Sequence, residues 1–207
     1  MNTDAERIFD ALKSEVTDLH VGWLIYRQLY AASDEATDLL NQSGSNVFYL
    51  LQFMLLDYVT LRLAKLTDPA FQGKFENLSL GRLAIALESD DNEFVSTTIA
   101  PALGKLEAAC GKFRDLRNKR VAHRDLTHAL GLEREPLPGI SREDVEGALA
   151  CLRAAMNAAE YHFRASTTAY EVVIVPLSSD GNRLLKILGK GLAAEEAERD
   201  ARALAAQ

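Results

Sequence analysis

Two cysteines in 207 residues, Cys110 and Cys151, far apart and outside any CxxC spacing, exclude a disulfide framework and a cysteine-rich zinc site. Both are expected to be core thiols. Prolines number only five, so there are few helix breakers. Long apolar runs are missing too. The longest uncharged stretch, 39–56, contains Asn41, Gln42, Ser43, Gly44, Ser45, Asn46 and Gln52, too much polarity for a membrane span. Asn2, Thr3, Asp4 and Glu6 stand where a signal peptide would carry positive charge and then an apolar core, so a soluble protein at a cytoplasmic address is expected. An excess of basic charge is likewise absent. With 23 basic and 30 acidic residues the net charge is −7, which excludes a protein that coats nucleic acid with its whole surface.

What is present is an ordinary globular balance, 48% apolar and 26% charged, enough for a sizeable core. Apolar residues recur at spacings of three and four, and the chain reads as all-α. Thr3 with Glu6 forms a capping-box pattern opening a helix through Phe9, Leu12, Val16 and Leu19 toward Trp23 and Tyr30. Ser43-Gly44-Ser45 interrupts the chain. Residues 46–66 are apolar nearly all round, the pattern of a central buried helix, which Pro69 and Gly73 end. A short helix from Ser79, a long one over 98–124 and a loop over 127–139 come next. Ser141 with Asp144 then caps a helix carrying Val145, Leu149, Leu152 and Met156. The run 171–176 (EVVIVP) is strand-like, either pairing with a partner's copy or serving as an extended connector. A short helix over 182–188 precedes an Ala/Glu/Arg-rich tail. Residues 1–170 are expected to form the bundle and 171–207 a C-terminal appendage of the same unit.

No P-loop, dinucleotide fingerprint or HExxH occurs, and His20, His123, His128 and His162 lack metal-ligand spacing. The tetrad His123-Arg124-Asp125-Leu126 matches the kinase catalytic loop, but Leu130 replaces the required asparagine and no glycine-rich loop accompanies it. Neither metal nor cofactor is expected. The distinctive feature is charge focusing. Segment 112–125 (KFRDLRNKRVAHRD) carries six basic and two acidic residues, so the −7 divides into −8 before it, +4 within it and −3 after it. Basic residues in the last turns of a helix complement its dipole, which is one reading of the cluster. At about 100° per residue, however, Leu103, Leu106, Cys110, Phe113, Arg117 and Val121 share one stripe, so Arg117 interrupts a core-facing side. A guanidinium there calls for an anion, either a protein carboxylate or a bound phosphate. Asp57 is the matching oddity on the 46–66 helix, in a stripe with Leu50, Phe53 and Leu61; it is either half of a buried pair with an arginine or an orienting carboxylate.

The run Arg117-Asn118-Lys119-Arg120-Val121-Ala122-His123, an arginine, a polar residue and a histidine a few residues on, resembles the motif of HEPN domains. Its setting, the Asp57 helix ending in LRLAKLTDP, then ENLSLGRL, then LRNKRVAHRDL, is similar to the abortive-infection U-type subgroup over 50–126. The resemblance implies an up-and-down helical bundle that dimerises. It often implies a metal-independent endoribonuclease acting as a toxin in phage defence or toxin–antitoxin systems, with RNA as substrate and an antitoxin protein as partner. Carried over by position, Arg117 and His123 are the catalytic pair and Asn118 their polar partner. Histidine titrates near neutrality and suits proton transfer, and arginine suits the charge of a phosphorane. Lys112, Arg114, Lys119, Arg120 and Arg124 are candidate phosphate contacts. Six helical residues separate Arg117 from His123 by about 9 Å of rise and about 120° of rotation, so one straight helix does not present them together. Either a homodimer builds a composite site, or the helix unwinds before His123. The alternative to an enzyme is a non-catalytic HEPN module that binds RNA, a nucleotide or a protein.

Overall fold

The computed structural model describes residues 3–121, 126, 130 and 139–206. The architecture is an all-α helical bundle, and the expected fold class holds. By contacts the chain separates into two compact units, residues 1–19 with 57–172, and residues 20–56 with 173–207.

The first unit begins with the first part of α1 (Asp4–Tyr30), whose capping box is formed as expected: Thr3 N–H donates to Glu6 Oε2 (2.9 Å) and Glu6 N–H to Thr3 Oγ1 (3.2 Å). Phe9, Leu12 and Val16 are fully buried on its inner face. The last part of α2 (Asp34–Leu66) adds Val59 and Leu63. Asp68 precedes Pro69, and the residue before a proline is pushed out of helical geometry, so the helix stops there. A hairpin that period-two patterning is too short to reveal comes next: β1 (Phe71–Gln72) pairs antiparallel with β2 (Phe75–Glu76) around Gly73, whose φ of 62° the tight turn requires. Ser79 caps α3 (Leu80–Glu88) by accepting from the Arg82 N–H.

The single helix expected over 98–124 is instead a chain of short pieces. α4 (Asn92–Phe94) and a π-helical segment (Val95–Ile99) lead into it, and α5 (Ala100–Ala109), α6 (Gly111–Leu116) and a second π-helical segment (Arg117–Val121) follow. Pro101 explains the first break, since it has no N–H to donate and its ring crowds the carbonyl four residues back, which the wider π turn relieves. At the junction of α5 and α6, Cys110 leaves helical geometry (ψ 1°). Leu106, Cys110, Phe113 and Leu116 remain buried. Burial pushes the Cys110 thiol up to about 12 against the nearby Arg114, so it stays protonated and is no nucleophile. Cys151 is half-buried. Most of the expected 127–139 loop lies outside the described residues. The capping box of Ser141 and Asp144 opens α7 (Arg142–Arg164), whose Val145, Leu149, Leu152 and Met156 are buried, with α5 packed against it.

Glu160 of α7 is buried and accepts from Lys13 Nζ (2.6 Å) and the Thr168 hydroxyl (2.6 Å). Burial alone would raise its pKa, but these donors outweigh it and hold the carboxyl below the ordinary glutamate value. A depressed folded pKa contributes stability that is present above the unfolded value, about 4.3, and is lost as pH falls through the folded one. Urea midpoints measured from pH 7 down to pH 3 are therefore expected to fall more steeply below about pH 4.5 for the unsubstituted chain than for Glu160→Gln.

In the second unit Leu29, Leu40 and Phe48 form a small core flanked by Ile25, Tyr30, Leu185 and Leu188. The Tyr30 hydroxyl donates to the Phe48 carbonyl (2.9 Å). The serine–glycine–serine interruption breaks the helix as expected: Gly44 leaves helical geometry (φ 164°, ψ 69°), so α2 is two helical stretches joined at a kink, with the Ser43 hydroxyl donating to the Leu39 carbonyl (2.8 Å). The stretch beyond the kink is not buried as its composition suggests. Val47, Tyr49, Leu50, Leu51, Phe53 and Met54 are exposed, because Leu40 and Phe48 are the positions of α2 that turn into this small core. Their composition also gives α2 an 18-residue window of mean hydropathy 1.4, long and apolar enough to cross a membrane. Residues 171–176 form no strand. The short helix and tail are one helix, α8 (Gly181–Ala205), capped by Asp180, which accepts from the Arg183 N–H.

Candidate functional site

The site is built where α2 ends and α6 gives way to the second π segment, both within the first unit. Phe113 and Leu116 are buried and fix the orientation of α6. Arg117, the next residue, is carried to the margin of that core rather than into it. Asp68 is held from the other side. Thr67 donates its hydroxyl to the carbonyls of Leu63 (3.3 Å) and Ala64 (3.1 Å), the Asp68 N–H donates to the Lys65 carbonyl (3.1 Å), and Asn77 Nδ2 donates to the Pro69 carbonyl (2.8 Å).

Between these supports Arg117 Nη1 donates to Asp68 Oδ1 at 2.5 Å, both side chains being only 19% exposed. Arg117 Nε donates to Asn118 Oδ1 at 3.0 Å. The anion required by a guanidinium on this stripe is thus a protein carboxylate. Asp68 is the residue that sequence reasoning missed. Its signal was an acidic residue directly before the proline that ends the helix, within LRLAKLTDP. The grip is monodentate. Among the described residues two of the five guanidinium N–H donors of Arg117 are engaged.

Asp57 pairs with Arg120 (Arg120 Nη2 to Asp57 Oδ1, 2.5 Å) and not with Arg117. The two side chains are 42% and 38% exposed, so this is no buried pair. The reason is that the stripe of Leu50, Phe53 and Asp57 faces outward, not into a core. Lys112 Nζ donates to Asp144 Oδ1 (2.7 Å), and the Asp144 carboxyl is held down to about 2 by that bond and by its capping bonds to Ser141. Arg114 Nη2 donates to the Glu107 carbonyl (3.0 Å), which turns it back toward the end of α5. Lys119 is half-buried. His123 and Arg124 lie outside the described residues. Arg117, Asn118 and Asp68 therefore form one connected group, and Arg120 with Asp57 a separate, more exposed one.

The second π segment spans Arg117 to Val121, the stretch between the arginine and the candidate histidine. Its i→i+5 bonding replaces the straight α-helix, and such turns recur at functional sites. Beside Asp68 opens a cleft of about 240 Å³, lined by Arg62, Lys65, Asp68, Glu76 and Asn77 among others. No three His, Cys, Asp or Glu side chains cluster as a metal would need among the described residues.

A model of the family HEPN_AbiU2, described as AbiU2, matches residues 2–184. No curated protein and no solved structure matches the chain.

Proposed function

The chain belongs to the AbiU2 family of HEPN domain proteins, which ties it to abortive infection, and from that premise we propose that it is a metal-independent endoribonuclease. The observation that carries this reading is Arg117, held by Asp68 and Asn118 at the edge of the core with two of its five donors engaged among the described residues. In the proposed reaction a base removes the 2′-hydroxyl proton, the 2′-oxygen bonds to phosphorus, the bond to the 5′-oxygen breaks, and that oxygen takes a proton. The products are a 2′,3′-cyclic phosphate and a free 5′-hydroxyl. Arg117 faces the non-bridging oxygens as charge builds on them, and His123 transfers a proton, a contribution of about 10²–10⁴-fold.

Two copies of the chain are proposed to share this site. The exposed stripe of Val47, Leu50, Leu51 and Met54 ends three residues before Asp57 on the same helix, and its occupant is a second copy. Acting as a toxin, the protein works on cytoplasmic RNA and requires an antitoxin protein to restrain it. The ion pairs that tie up Arg117 and Arg120 favour a second reading, a non-catalytic module that binds RNA, a nucleotide or a protein.

Incubation of mixed single-stranded RNAs with the purified chain in EDTA separates the two. Cleavage by the unsubstituted protein, lost in both His123→Ala and Arg117→Ala, is the expected result. Equal cleavage by all three chains would overturn the assignment. Abolition by EDTA would overturn the metal-independent reaction, and RNA binding without any cleavage would establish the module.

A further inference from the structure

The hairpin between Asp68 and α3 exposes two aromatic rings that no folding requirement explains, Phe71 at 51% and Phe75 at 66%. Its register sets Phe71 opposite Glu76 and Gln72 opposite Phe75, so one ring lies on each face. Each has a cation beside it. Arg82 Cζ lies 5.9 Å from the Phe71 centroid and Lys74 Nζ lies 5.5 Å from that of Phe75. The hairpin is anchored at its base, where the Asn77 N–H donates to the Ala70 carbonyl (2.9 Å), and Arg82 Nε donates to Glu76 Oε2 (2.7 Å). Phe71 follows Asp68 by three residues, so their Cα atoms are at most about 11 Å apart. The cleft beside Asp68 extends to Glu76, Asn77 and Leu78 at the hairpin's end.

Charge concentrates on the same segment. Residues 62–82 hold four of the eight basic residues that precede Lys112 but only two of the sixteen acidic ones. Exposed aromatics interleaved with cations are how proteins hold single-stranded nucleic acid, since every base offers a face to stack on. Duplex RNA, with its bases stacked inside, offers none.

We propose that the β1–β2 hairpin is a stacking element for single-stranded RNA, seating bases that flank the phosphate at Arg117 against Phe71 and Phe75. This rests on the ribonuclease reading above and specifies its substrate as unpaired RNA. The test uses the full chain carrying His123→Ala, to prevent cleavage, and a short unstructured RNA containing 2-aminopurine, whose fluorescence is quenched on stacking. Quenching and binding are expected. With Phe71→Leu and Phe75→Leu together, binding should weaken about tenfold or more and quenching should vanish, and tryptophan at both positions should restore them. A double leucine chain that binds and quenches like its parent overturns the hairpin's role while leaving cleavage at Arg117 standing. So does a loss that tryptophan fails to restore, which would mark the rings as structural. No RNA binding by the parent together with no cleavage by the unsubstituted protein overturns the ribonuclease reading itself.

Discussion

Arg117→Lys is expected to lower RNA cleavage by about 10²–10³-fold while circular dichroism and the urea midpoint stay near those of the parent. Arg117 performs two tasks with one planar group. Nε and Nη1 fix its plane through Asn118 and Asp68, and that plane sets the directions of the remaining donors. A lysine ammonium keeps the charge and can still reach Asp68, so the fold is spared. It is a point charge, however, and cannot be locked in one plane by two partners while presenting further donors to a phosphorane. Asp68→Asn should give a smaller loss, about tenfold, because the guanidinium keeps its charge and its bond to Asn118 but loses the charged partner that aligns it. The two effects should not add. In the Arg117→Lys background there is no plane left to align, so Asp68→Asn should cost little more. Rates near the parent's in Arg117→Lys, or fully additive losses, would remove Arg117 from the chemistry and leave it a structural ion pair. Initial rates on one RNA for the four chains decide the matter.

Local features with short-range causes were readable from residues alone. The capping boxes at Thr3 and Ser141 involve partners three residues apart, and the buried positions of α7 follow a strict helical period, so both emerge as expected. Asp57 and the apolar stretch after the kink depart from expectation for one shared reason. Periodicity tells which residues share a face but not whether anything in the same chain covers it. Leu50 and Phe53 are apolar and exposed, and Asp57 beside them is paired near solvent. The first π segment was written in Pro101, whose effect falls on the carbonyl four residues back. The need of Arg117 for an anion was legible in its stripe. The identity of that anion was out of reach because Asp68 lies 49 residues away, and a long-range pair leaves no periodic trace.

The uncovered face of α2 leads to the other large effect. Leu50→Glu with Met54→Glu is expected to weaken self-association by about 10²–10³-fold, enough to turn a micromolar dimer into monomer in sedimentation. Val47, Leu50, Leu51 and Met54 succeed one another at helical spacing and are 61%, 60%, 37% and 56% exposed, with Tyr49 and Phe53 packed edge to face at 4.8 Å beside them. An exposed apolar strip of this kind marks a surface that is normally covered. Two copies related by a twofold axis cover it most economically, since the same strip meets itself and two glutamates per copy would then face their own images. An unsubstituted chain that sediments as a monomer at micromolar concentration would rule this out. If the copies share the reacting groups, cleavage should fall along with the dimer. Arg117→Ala and His123→Ala chains, each inactive alone, should then regain part of the activity when mixed, because a mixed dimer holds one intact arginine–histidine set. Full activity in the dissociated Leu50→Glu/Met54→Glu chain would instead confine the site to one copy, and the π turn after Arg117 would then have to bring His123 back toward the arginine within that chain.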